Sequence, residues 1–182
     1  MKKIILLLVL IASATSVYSQ RIKKDEFDKF NKVRVIETNY ETMYKKMNLA
    51  SLNTKNGINF ALRKSGEKYI LLADIKNENN IAFIEGNGMT LLLDNDSTIW
   101  LKNNYIGISK TPSIGNAVYA SSFTTTFSID DKYVQPLKEH KIKAVRIEYS
   151  AGSFDGDIRN ENQSNLQKMF QIIEKRSSKP IN

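Results

Sequence analysis

Apolar residues recur at every second position through much of the middle of the chain. In "INFALRK", Ile58, Phe60 and Leu62 alternate with Asn59 and Ala61, the period of a strand with one face buried. Ser65-Gly66 supplies a turn, and "KYILLADI" follows as a more fully apolar strand, so the pair predicts a hairpin. "IAFIE" and "MTLLLD" flank Gly86-Asn87-Gly88, which reads as a second tight connection and a second hairpin, with glycines free to take positive φ. Asp94-Asn95-Asp96 turns the chain into "TIWL", and the asparagines of "NENN" and "LKNNY" read as polar turns. Upstream, "VRVIET" predicts a strand. "YETMYKKMNLASL" is open between a helix, with Tyr40, Tyr44 and Met47 on one face, and another strand.

The longest alternation runs from Ala117 to Ile129. Tyr119, Phe123, Phe127 and Ile129 fall on one side, with Thr124, Thr126 and Ser128 on the other. A long strand, or one bent midway, places the aromatic side in the core and the hydroxyl side in solvent. "KAVRIEYS" is a further strand with Val145, Ile147 and Tyr149 inward, and Ala151-Gly152 can turn the chain after it.

Helical spacing is sparse. "SIDDKYVQPLKEH" offers Ser128 as a cap with Asp131 three residues on. Pro136 interrupts it: either one turn ends near Val134, or Gln135 caps a new turn. Leu166, Met169, Phe170 and Ile173 follow the spacing of an amphipathic helix, starting between Glu161 and Ser164 and ending before "SSKPIN". The predicted fold is α+β: a predominantly antiparallel sheet or half-barrel, a short helix and a C-terminal amphipathic helix. No linker or repeat divides residues 20–182, which read as a single β-rich domain.

Three features of composition change this picture. Lys2-Lys3 precede nine apolar residues, Ile4 to Ala12, and then "SATSVYSQ". That is the pattern of a secretory signal peptide over residues 1–19, cut before Gln20, and it predicts a periplasmic or extracellular protein. The run is too short to span a bilayer comfortably, and no later segment approaches spanning length. Cysteine is absent, which excludes disulfides, thiolate metal sites and cysteine nucleophiles. Without Lys2 and Lys3, 25 basic residues face 19 acidic ones. The excess is uneven: residues 20–76 carry 13 basic and 7 acidic side chains, residues 77–140 carry 4 and 7. A cell-envelope protein or an acidic polymer is a suitable partner for an exported basic chain, and nucleic acid is not expected.

Candidate chemistry is thin. In "SFDGDI" a strand would set Asp155 and Asp157 on one face, close enough to share a hard cation such as Ca²⁺, with Asn160, Glu161 and Asn162 nearby. Two carboxylates fall short of the six to eight oxygens Ca²⁺ takes, and the spacing is not that of an EF-hand. Asp-Gly is equally a common turn. The same pair is the candidate for acid/base work on a glycosidic bond. His140, the only histidine, sits among basic neighbours in "KEHK", with no nucleophile elbow to serve, and reads as a surface residue. No phosphate-cradling glycine loop occurs.

Trp100 is the other candidate, with Tyr105 five residues on. If Ile99 and Leu101 enter the core, Trp100 faces outward and needs a cover: a helix, a partner or a ligand. The expectation is a binding or structural accessory module without an assigned catalytic residue or cofactor. The alternatives are a polymer-acting hydrolase using paired carboxylates and a calcium-stabilised adhesion-like domain.

Overall fold

A computed structural model of the chain describes residues 21–47, 54–77, 82–108, 113–114, 117–118 and 121–180. Residues 1–19, read above as an export signal, most of "NENN", and Tyr119 and Ala120 of the long alternation lie outside the described residues. The elements are β1 (Ile22–Asp28), β2 (Val33–Thr38), β3 (Glu41–Met47), β4 (Thr54–Ser65), β5 (Lys68–Asn77), β6 (Ala82–Phe83), β7 (Gly88–Leu93) and β8 (Thr98–Lys102). After them come β9 (Gly107–Ile108), β10 (Ser113–Ile114), β11 (Ala117–Val118), β12 (Ser121–Ile129), helix α1 (Asp131–Glu139), β13 (Ile142–Tyr149), β14 (Gly152–Asp157) and helix α2 (Asn165–Ser177). The protein is a mixed α+β fold dominated by antiparallel sheet.

The larger sheet has the order β1-β2-β4-β5-β12, and β3 also pairs with β4. One edge of β4 serves two partners: β2 takes Arg63 to Ser65 and β3 takes Thr54 to Phe60. The handover is bridged by a side chain, since Leu62 N–H donates to the buried Thr38 hydroxyl at 3.0 Å. The expected β4–β5 hairpin forms, with Ser65 opposite Lys68. The second sheet has the order β14-β13-β7-β8, and the short strands pair as β6-β9 and β10-β11.

Inward positions of both sheets meet in one apolar cluster. Ile58, Phe60 and Leu62 of β4, Leu71 and Ile75 of β5, Phe127 of β12, Met89 and Leu91 of β7 and Ile147 of β13 are all fully buried. Helix α2 lays Leu166, Met169, Phe170 and Ile173 against the same cluster, as the one-three-four-seven spacing predicts. Phe170 meets Tyr69 at 5.0 Å between ring centroids.

Among the described residues the two larger sheets join at two narrow seams. At one, Asn103 bridges to Phe127 and Asn104 N–H donates to Thr126 O at 2.9 Å. At the other, Tyr44 of β3 packs on Gly156 of β14. The strands therefore run around the core as β3-β4-β5-β12, then β8-β7-β13-β14 and back to β3.

One open choice is decided and three expectations are corrected. The choice left open for "YETMYKKMNLASL" falls to strand over Glu41–Met47, where the free edge of β4 captures it. Gly86 does turn the chain, with φ of 90°. However, β6 pairs with β9 while β7 pairs with β8 and β13, so no hairpin spans that turn. Ser128 stays in β12, sharing hydrogen bonds with Asn104, and Asp130 takes the N-cap of α1. That helix also runs through Pro136; Leu137, fully buried on the core, holds the turn that the ring should break. Among the described residues no helix is long and apolar enough to cross a membrane.

Candidate ligand-binding face

The four-stranded sheet buries one face and presents the other. Ile99 and Leu101 are 3% and 1% exposed, whereas Trp100 between them is 42% exposed. The register across the outer face follows from the pairing. Trp100 stands opposite Thr90, Thr90 opposite Arg146, and Arg146 opposite Asp155. One step along, Thr98, Leu92, Ala144 and Asp157 form a second row. A hollow of about 260 Å³ opens between these rows, floored by Leu92 and Ala144 and walled by Thr90, Thr98, Arg146 and both aspartates.

Trp100 lies flat on this face because β7 offers it a glycine. A Cβ on Gly88 would stand 2.7 Å from two indole atoms, a distance no side chain tolerates, so any larger residue would lift the ring. The indole Nε1–H donates to the Glu148 carboxylate on β13 at 3.3 Å. One face of the ring is thus seated on backbone, one edge is tethered, and the other face meets solvent.

"FDGDI" is extended, and the turn falls before it at Ser150-Ala151. The alternation of β14 does place Asp155 and Asp157 on one face, and it sends Gly156 inward. There a Cβ would meet the Tyr44 ring at 2.7 to 3.0 Å. The glycine makes room for Tyr44 at the seam; it does not turn the chain. Asp155 is engaged by its cross-strand neighbour: Arg146 Nε and Nη2 donate to its two oxygens, each at 2.7 Å. Those hydrogen bonds, with the guanidinium charge, hold the Asp155 carboxyl below its ordinary value. Asp157 also borders a second recess with Tyr44, Lys45, Arg159 and Glu161. Burial, and then the Asp157 charge, raise the Tyr44 phenol.

This arrangement does not gather the oxygens that a hard cation takes. Asp155 is committed to Arg146, and Lys45 and Arg159 line the recess that Asp157 and Glu161 also border. Among the described residues no three Asp, Glu or His side chains gather in metal-binding geometry. A general acid needs a carboxyl held protonated, and Arg146 drives Asp155 the other way.

Tyr105 packs away from Trp100. Its ring lies 5.9 Å from that of the inward-facing Phe123, and it is 55% exposed. The two aromatics therefore rest on different neighbours and make no joint platform. His140 caps α1, and its Nδ1 meets Asp94 Oδ1 at 2.9 Å. The Asn95 amide is oriented by Ser97, whose N–H and Oγ both bind Oδ1, so Nδ2 faces His140 Nε2 at 3.2 Å. The basic neighbours in sequence are not the partners in space, and both ring nitrogens are occupied in a turn.

Arg146, Glu148 and Thr90 carry no mark in the sequence that singles them out, and Gly88 reads there only as a turn residue. The alternation of "KAVRIEYS" does put Arg146 and Glu148 outward, but their pairing with Asp155 and Trp100 depends on register. Comparison with protein-family models, curated proteins and solved structures returned no match.

Proposed function

We propose that this is a non-catalytic binding module that grips a neutral saccharide chain on the outer face of the four-stranded sheet. The observation that carries this reading is the Trp100 indole, seated on Gly88 and half open to solvent on the same face as a shallow hollow with an apolar floor and polar walls. A pyranose ring has an apolar C–H face that suits a flat aromatic, and edge hydroxyls that pair with planar donors and acceptors. Arg146, Asp155, Asp157, Thr90 and Thr98 supply those groups within the hollow. Glu148, Asp155 and Asp157 on this face are met by Arg146 and by the exposed Lys102 opposite Gly88, so neither sign prevails, which suits a neutral chain better than an acidic polymer. The export signal read in residues 1–19 sets the expected place of action in the envelope or outside the cell.

Trp100 is the only tryptophan, so intrinsic emission reports on this face alone. Titration with a panel of soluble neutral oligosaccharides should shift or quench that emission saturably. Trp100→Phe should weaken binding, read by calorimetry, and Arg146→Ala should weaken it about tenfold or more. A panel that moves neither emission nor the unfolding midpoint would remove the reading.

A further inference from the structure

The turn between β1 and β2 holds a phenylalanine out in water. Asp28 Oδ1 accepts the N–H groups of Phe30 and Asn31 at 2.9 and 3.0 Å, and its Oδ2 accepts Asn31 Nδ2 at 2.8 Å. Lys32 closes the turn at φ 53°. In this tied loop Phe30 is 97% exposed, and Phe27 beside it is 49% exposed. Lys29 and Lys32 flank them, both exposed and without an ion pair among the described residues.

Arg34 brings two more chain segments to the same pole. Its carbonyl accepts Gly66 N–H from the β4–β5 turn at 3.1 Å, which places Lys68 alongside. Its Nη1 donates to Lys179 O at 2.5 Å, and Phe27 is its direct partner across the strands. Lys68 and Lys179 are likewise exposed and unpaired among the described residues. Three acids here are engaged, Asp28 by the turn, Glu26 by Lys24 at 2.7 Å and Asp25 by Arg34, while Glu67 stands in solvent 3.6 Å from Lys64. Two protruding phenylalanines thus share this pole with four lysines that have no ion pair among the described residues.

We propose that this pole docks on the surface of an anionic phospholipid bilayer. Phe30 enters the boundary between headgroups and acyl chains with Phe27 beside it, and Lys29, Lys32, Lys68 and Lys179 meet the phosphates. Apolar insertion and lysine attraction are the two terms that hold a peripheral protein on such a surface. A soluble polyanion would use the lysines and leave both rings idle, which is why a lipid surface fits the whole pole. The site is separate from the Trp100 face.

The test places the reporter at the tip. In the full chain carrying Trp100→Phe and Phe30→Trp, emission should shift to the blue on adding vesicles with about one-third anionic lipid, and nitroxide-labelled acyl chains should quench it. Purely zwitterionic vesicles should give a shift at least several-fold smaller. Lys29→Glu with Lys32→Glu should reduce the apparent affinity tenfold or more, and added salt should weaken it further. Unchanged emission with anionic vesicles overturns the proposal even if the chain sediments with them, because the apolar N-terminal run could then be the anchor. Equal responses to heparin and to vesicles overturn it as well, since charge alone would suffice.

Discussion

The ring of Tyr44, on β3, rests directly on the backbone of Gly156, on β14, and this contact closes one side of the strand ring. Gly156→Ala would drive a methyl to within 3 Å of that ring. The expected cost is about 1–3 kcal/mol, as for other overpacked sites, read from urea unfolding. Tyr44→Ala, tested in the alanine background, should cost less than it does in the parent protein, because it relieves the clash. Additive costs would show that the two residues are not coupled.

Acid should weaken the fold through two buried carboxylates. Asp25 is held low first by its hydrogen bonds from Arg34, against burial, with help from Arg176. For Glu37 burial is the largest influence and would raise it, but Lys23 and Arg63 together outweigh burial and leave it low. Both carboxyls have folded values below their unfolded ones. Their stabilisation is complete above the unfolded carboxylate range, about 4, and is lost as pH falls through the folded values. Asp25→Asn should cost about 2 kcal/mol at neutral pH and flatten the acid limb of a stability-versus-pH curve. A limb of unchanged slope would assign acid sensitivity to other groups.

Calcium should have little effect on the unfolding midpoint. Binding at Asp155 would have to displace Arg146, and Lys45 and Arg159 stand beside Asp157. Melting in EDTA and then in millimolar Ca²⁺ is expected to differ by less than a degree. A rise of several degrees, absent in Asp155→Asn/Asp157→Asn, would restore the cation reading.

Pro136→Ala should stabilise the protein. The proline cannot donate to Lys132 O within α1, and a proline inside a helix costs up to about 3 kcal/mol. Greater freedom of the unfolded chain offsets up to about 1 kcal/mol of the gain. A midpoint raised by a few degrees is expected, and a lowered one would mean that the pyrrolidine ring itself packs usefully beside Leu137.

Period-two patterns made β4, β8, β12 and β13 legible, an apolar run did the same for β5, and the helical stripe of Leu166 to Ile173 placed the end of α2 to within a residue and its start one to four residues early. Those signals are local, written by which side chains each element must bury. Partner choice was not legible, since nothing local tells β6 to leave β7 for β9, or β4 to divide one edge between β2 and β3. The outward turn of Trp100 could be read from Ile99 and Leu101 alone. Its seat on Gly88 and tether to Glu148 could not, because both arise from register between distant strands. For the same reason "FDGDI" looked like a turn: the pressure on Gly156 comes from Tyr44, far away in sequence.

The pairing of β5 with β12 also sets an order of events. β4 and β5 emerge together and can zip at once, but the far edge of β5 must wait until everything from β6 to β11 has been made. At synthesis rates of about 5–20 residues per second, that edge from Tyr69 to Asn77, rich in leucine and isoleucine, stays bare for some seconds. A bare edge of this kind recruits strands from any source. The hazard for a newborn copy therefore scales with crowding among its siblings and with the speed of its own translation, and the stability of the finished fold has no bearing on it.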